Sequence, residues 1–102
     1  APVLLVAYDI AATGPLATVS RSEGLLAAAF VLGPDTPGAS GPRLALALEP
    51  ADPTAGVGPL ARRYAGNAMH PMLPLLDALA NGGAGCRLHA GPGLALCVEI
   101  GR

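Results

Sequence analysis

Residues 3–9 read Val-Leu-Leu-Val-Ala-Tyr-Asp, and this stretch decides the fold class. It is apolar without interruption until Asp9 and contains two β-branched valines. Strands covered on both faces have such continuous apolar runs, whereas half-exposed strands alternate apolar and polar residues. The stretch therefore predicts a buried strand in a layered α/β protein, with a mixed sheet and packing helices.

Outward from this strand, the next segments predict two more strands and a loop. Leu25 to Leu32 is a second apolar run, which we interpret as a strand, although its three consecutive alanines would also suit a helix. Residues 33–42 hold three prolines and three glycines, which predicts a mobile loop. Arg43 to Glu49 alternates leucine with alanine, as a strand does, and we expect it to form an antiparallel hairpin with the second run.

The second half of the chain predicts two helices and a terminal hairpin. Pro59 suits the first turn of a short helix over Leu60 to Ala65. The clearest helix is Pro71 to Asn81, where apolar residues recur at helical spacing and Gly82-Gly83 follows as a stop. The apolar positions are Met72, Leu75, Leu76 and Leu79. Cys86 to Ala90 and Leu94 to Ile100 surround Gly91-Pro92-Gly93 and read as a hairpin.

The composition favours a chain that is covered by other protein. Hydrophobic residues make up 52% of the chain and charged residues only 13%, against roughly 25% charged in an average soluble domain. Large bare apolar patches promote association, so we expect a partner or the rest of a longer protein. The chain does not begin with Met, and we interpret Ala1 as a processed, cleaved or truncated end.

Other classes of protein fit the sequence poorly. No apolar run reaches the roughly 18 residues that a membrane span needs, and no basic segment marks a signal peptide. All basic residues are arginine, they form no stripe, and the net charge is −1, so we expect no nucleic-acid partner.

Five segments together resemble a known family. They are VLLVAYD (3–9), SEGLLAAAFVLGP (22–34), RLALALEP (43–50), NAMHPMLPLLDALANG (67–82) and GPGLALCVEI (91–100). Their order resembles the second half of β-ketoacyl synthase-like proteins of the chain-length-factor-like type, which occur with aryl polyene and related fatty-acid-type biosynthesis. Glu23-Gly24 and the alanines 27–29 look like the family's segment of Glu-Gly plus small residues.

The resemblance implies that residues 1–102 are the C-terminal portion of a thiolase-like layered fold. It implies a cytoplasmic, oligomeric subunit or fragment that contributes to acyl-chain condensation or chain-length control, with acyl carrier protein as a partner and no cofactor. The family's nucleophilic cysteine would lie upstream of the first strand, so no catalytic residue is carried over and the enzyme question stays open. The alternative is a non-catalytic α/β interaction module within a complex.

The two cysteines are predicted to be structural and unlinked. If Leu88 lies opposite Leu96, Cys86 shares the apolar face of the hairpin while Cys97 lies on the other face. A disulfide needs Cβ atoms roughly 3.5–4.5 Å apart, and a nucleophile needs a lowered pKa, commonly from a helix N-terminus. The assumed register favours neither, so a disulfide and a nucleophile are the less favoured alternatives. His70 and His89 add no metal-ligand spacing; we interpret His70 as a helix-entry residue and His89 as a polar-face residue.

Three other features have a structural and a functional interpretation. Gly56 to Ala61 matches a loose dinucleotide-binding pattern with Asp77 downstream, but Pro59 removes an amide and Asp77 falls inside a predicted helix, so we interpret it as a turn. Arg62-Arg63 is either a solvated helix face or a contact for an acidic acyl carrier protein. Asp9 either caps the following loop or lies at a substrate-facing sheet end.

Overall fold

The computed structural model describes residues 2–102, so the interpretation of Ala1 lies outside the described residues. The architecture is mixed α/β with two small sheets. The strands are β1 (Val3–Asp9), β2 (Leu26–Leu32), β3 (Arg43–Pro50), β4 (Gly85–Gly91) and β5 (Leu94–Gly101). The helices are α1 (Pro59–Arg63) and α2 (Leu73–Ala80), with 3₁₀ turns at Gly14–Thr18 and His70–Met72. Over residues 2–102, no helix is long and apolar enough to cross a membrane.

Strands β1 and β2 form a two-stranded antiparallel ribbon, with Val3 opposite Leu32 and Asp9 opposite Leu26. Both predicted strands are confirmed. The predicted burial of β1 on both faces is not found, since the side chains of residues 3–6 are exposed. A two-stranded sheet needs covering layers to bury its faces, and residues 2–102 provide none over this end of β1.

The second sheet has the order β3-β5-β4 and is antiparallel throughout. The predicted hairpin between β2 and β3 is therefore wrong, because β3 pairs with β5. Leu46 lies opposite Val98 and Leu48 opposite Leu96, so the apolar faces of the two strands match. The loop over residues 33–42 is confirmed, and its length leaves β3 unconstrained by any tight turn after β2. The described strands pair only antiparallel, whereas a mixed sheet was predicted.

The terminal hairpin has the predicted register, with Leu88 opposite Leu96. The register shifts between His89 and Gly91, next to the turn. Thr54 covers the outer edge of β4: its N–H donates to the Arg87 carbonyl (2.8 Å) and its hydroxyl accepts from the Arg87 N–H (2.7 Å). Backbone hydrogen-bonding groups on one outer edge of this sheet thus have partners within the chain.

The helices begin and end close to the predicted positions, but the buried face of α2 differs from the prediction. Leu73 and Asp77 are its buried residues, while the four predicted apolar positions are only partly buried. Leu73 forms a small core with Leu26 of β2 and Ala61 of α1. The helix is therefore rotated so that one apolar side chain enters the core and one carboxylate faces α1. This core joins the ribbon to the helical segment.

Candidate functional site

Asp77 caps the N-terminus of α1 from a distance in sequence. The backbone N–H groups of Leu60 and Ala61 each donate to its carboxylate at 3.0 Å. Only 8% of Asp77 is exposed. These two N–H groups have no partner within α1, because the first N–H groups of any helix lack one, so the carboxylate satisfies them. A side chain at Gly58 would overlap this carboxylate, which explains the glycine.

The same contact bears on the dinucleotide-like pattern at residues 56–61. The amides of such a pattern would bind a pyrophosphate, but two of them already bind Asp77. The sequence pattern included both Gly56 to Ala61 and Asp77, but it did not predict that they bind each other. In the structure they are in direct contact. Their relation is structural, as the turn interpretation proposed.

Asn67 is the second buried polar residue, and it joins the helical segment to the entrance of β2. It is 1% exposed, and its amide nitrogen donates to the carbonyls of Glu23 (2.9 Å) and Gly24 (3.4 Å). Its side-chain oxygen accepts from the N–H of Met69 at 2.9 Å. Both polar atoms of this amide are thus used in holding two backbone segments together, residues 23–24 and residues 67–69, which sequence reasoning did not foresee.

Asp9 and Ser22 close the connection between β1 and β2. The Ser22 hydroxyl donates to the Asp9 carboxylate, and the same oxygen accepts from the N–H of Ala68 at 3.0 Å. A bond from the Ala12 N–H to the Ser22 carbonyl, 3.1 Å, tightens the closure. Asp9 therefore acts on the loop that follows it, in line with the capping interpretation.

The two thiols are free and remain apart on the hairpin. Cys86 lies opposite Val98, and Cys97 lies opposite Arg87 in the neighbouring register position, so the side chains point to opposite faces. Burial raises the pKa of both thiols; for Cys97, the nearby Glu49 carboxylate raises it further, and its Oε2 accepts from the thiol at 3.4 Å. A raised pKa leaves less thiolate at neutral pH, which is the opposite of what a nucleophile needs.

The cationic and imidazole side chains singled out from the sequence are solvated. Arg62 and Arg63 are exposed at the end of α1, and the Arg63 guanidinium lies 5.5 Å from the centre of the Tyr64 ring. His70 is exposed in the 3₁₀ turn before α2, with Nδ1 3.3 Å from the Asn67 carbonyl. His89 is exposed on β4. Among residues 2–102, no group of three or more metal-binding side chains comes together.

A group of exposed apolar side chains lies on the two-stranded ribbon, and we call it the apolar ribbon. It comprises Val3, Leu4, Leu5, Val6, Tyr8, Val31 and Leu32, all exposed. Both faces contribute, because neighbouring residues such as Leu4 and Leu5 point to opposite sides of a strand. A groove of about 550 Å³ separates the β2 side of the ribbon from the start of β3. Surfaces of this kind in soluble proteins mark interaction sites.

Comparison with known proteins adds no assignment to this geometry. No family model matches the chain. No curated protein and no solved structure matches it either. What the chain does must therefore be argued from the apolar ribbon, the exposed arginine pair and the buried polar contacts.

Proposed function

We propose that this chain is a subunit or a fragment of a β-ketoacyl-[acyl carrier protein] synthase-like protein. In it, the chain supplies walls and interfaces for the condensation of carrier-bound acyl units, or for setting their length. One observation carries the proposal: the apolar ribbon is exposed on both faces. A sheet that is apolar on both sides requires a covering layer on each, which is what a layered, thiolase-like fold supplies.

The proposal assigns packing, not chemistry, to the described residues. The buried polar groups Asp77 and Asn67 are fully engaged in backbone contacts, and burial raises the pKa of both thiols. None of these groups is arranged as a nucleophile with an adjacent base. The proposal accordingly locates any nucleophile in another part of the assembly, and it implies a cytoplasmic, oligomeric protein.

Arg62 and Arg63 are the proposed contact for the acyl carrier protein. They are adjacent, exposed and located at the end of α1, and among residues 2–102 no carboxylate lies within salt-bridge distance of either. Two unpaired guanidinium groups on a weakly charged surface attract an acidic partner by long-range electrostatics, which mainly raises the association rate.

The alternative function is a non-catalytic α/β interaction module. The observation that favours it is that each buried polar side chain among the described residues is hydrogen-bonded to backbone groups. In that case the apolar ribbon binds a partner protein unrelated to acyl transfer, and the arginine pair is a solvated helix end.

Binding of an acidic acyl carrier protein separates the two functions. Fluorescently labelled acyl carrier protein is titrated with the wild-type chain, with the double variant Arg62→Glu/Arg63→Glu, and with the control Arg21→Glu/Arg87→Glu, which changes the net charge equally at other exposed sites. We expect the wild type and the control to bind the carrier protein with an affinity that falls as the salt concentration rises. For the first variant we expect a loss of at least about tenfold in affinity. Absence of binding, or equal loss in both variants, would favour the interaction module.

A further inference from the structure

Strand β3 is an exposed outer edge of the three-stranded sheet. Within residues 2–102 it pairs only with β5, and its register is regular from Arg43 to Pro50. The opposite edge, on β4, is partly covered by Thr54 and interrupted by a register shift. Edge strands in native proteins are usually blunted by charges, prolines or bulges. Between Leu44 and Leu48, β3 has none of these.

The sequence of this edge is complementary to itself when reversed. Residues 43–49 read Arg-Leu-Ala-Leu-Ala-Leu-Glu, with Leu46 at the centre. Antiparallel pairing about Leu46 places Arg43 opposite Glu49 of the second strand and Leu44 opposite Leu48. Two ion pairs then flank a row of matched leucine and alanine pairs, and opposite residues share a face.

Neighbouring registers lose this match. A shift by one residue places leucines opposite alanines and, depending on its direction, opposite Glu49 or Arg43, which mixes the apolar and polar faces of the sheet. A shift by two keeps the faces but leaves Arg43 opposite an uncharged residue. The charges therefore select one register, and they select a second copy of this chain as the partner. In the ribbon, β1 has a single charge, Asp9, and β2 has none.

We propose that two copies of this chain associate through their β3 edges, antiparallel about Leu46, and form one continuous six-stranded sheet. The leucines at this edge are available, since Leu46 is 60% and Leu48 63% exposed. Arg43 already pairs with Asp35 at 3.0 Å, but both side chains are exposed, so an exchange of ion-pair partner costs little. Glu49 accepts only the Cys97 thiol among the side-chain hydrogen bonds of the described residues.

Charge reversal tests this contact and separates it from general apolar association. Arg43→Glu and Glu49→Arg each place like charges opposite each other twice in the dimer. We expect each variant alone to have a dimer dissociation constant at least about tenfold above that of the wild type. A mixture of the two variants restores both ion pairs, as does the double variant, and each should dimerise as tightly as the wild type.

The measurements are light scattering over a concentration series and native mass spectrometry of an isotope-labelled mixture. Arg21→Glu and Glu23→Arg form the matched control pair, with the same changes in net charge at exposed positions before β2, outside the sheet that contains β3. Asp35→Asn removes the ion pair between Asp35 and Arg43 within one chain but not the proposed pair between copies, so it should leave the dimer intact. Circular dichroism verifies that each variant folds. If the single variants dimerise like the wild type, or if their mixture gains nothing over either alone, the proposal is wrong.

Discussion

At the scale of single residues, the carboxylate of Asp77 and the amide of Asn67 explain why a sequence so short of polar groups keeps two of them buried. Each is bonded to backbone groups of another segment, at the start of α1 and at the entrance to β2. A buried polar group is tolerated when it is satisfied and costs most when one partner is removed. The contribution of these residues is therefore best measured by removing single atoms.

Replacing Asp77 should destabilise the chain in proportion to the acceptors lost. Asp77→Ala leaves the N–H groups of Leu60 and Ala61 without a partner and should lower the free energy of unfolding by about 2 kcal/mol. Asp77→Asn keeps one acceptor and should lower it by about 1 kcal/mol. Urea titration followed by circular dichroism gives both values. The exposed Glu99→Ala is the control, expected within about 0.5 kcal/mol. Equal values for Ala and Asn would contradict the two-bond description.

The thiols should react slowly with an alkylating reagent near neutral pH. Their pKa is raised in the folded chain by burial, so less of each is thiolate than in an unfolded peptide. The rate of iodoacetamide modification should rise at higher pH than for a free cysteine, and urea should accelerate it at pH 8. Since a raised pKa disfavours the folded thiolate, stability should also fall as the pH rises from the unfolded to the folded pKa. Faster modification in the folded state would indicate an activated thiol.

At the scale of elements, the apolar ribbon dominates the surface, and its interaction should be sensitive to charge. Leu4 and Val31 lie opposite each other in the ribbon and are both exposed. Leu4→Glu with Val31→Lys adds an opposite-charge pair across the strands, which the ribbon tolerates, while it breaks the apolar surface. We expect less binding of a hydrophobic dye and a lower apparent mass in light scattering.

The control for this variant adds the same charges outside the ribbon. Val19→Lys with Val57→Glu replaces two exposed apolar residues in loops. If this control lowers dye binding as much as the ribbon variant does, the reduction is caused by the added charges and not by the loss of the apolar ribbon. A wild-type chain that is monodisperse, monomeric and silent to the dye would contradict the proposal that the ribbon requires covering layers.

The strands were largely predictable from the sequence, while their pairing was not. Continuous or alternating apolar runs located β1, β2 and β3, and the Gly-Pro-Gly turn fixed the terminal hairpin together with its Leu88–Leu96 register. The partner of β3 depends on a contact across half the chain, which no local pattern encodes. The capping of α1 by Asp77 was missed for the same reason, because an acidic residue in an amphipathic helix reads as solvent-exposed. No sequence pattern around Asn67 predicted that it would be buried.

At the scale of the whole molecule, the described residues form two small antiparallel sheets that bury few side chains. One cluster joins Leu26, Ala61 and Leu73 with a few half-buried neighbours, and the ribbon extends beyond it. The other buried apolar side chains of the described residues, Ala95, Val98 and Ile100, lie on β5. The chain is elongated, with extents of 50 × 29 × 23 Å. Small cores stabilise weakly, so association is expected to contribute to the stability of this chain.

The chemistry of a complete assembly should not depend on the thiols of this chain. We expect no condensation and no decarboxylation of malonyl-carrier substrates by the 102-residue chain alone. We also expect the double variant Cys86→Ser/Cys97→Ser to leave the activity of an assembly that contains the chain nearly unchanged. A synthase nucleophile needs a lowered pKa and donors for the developing oxyanion, whereas both thiols lie within paired strands and have raised pKa values. Mass spectrometry of the carrier-bound products measures both. A loss of about 10³-fold in the double variant, with the fold retained by circular dichroism, would place the nucleophile in this chain and overturn the proposed division between packing and catalysis.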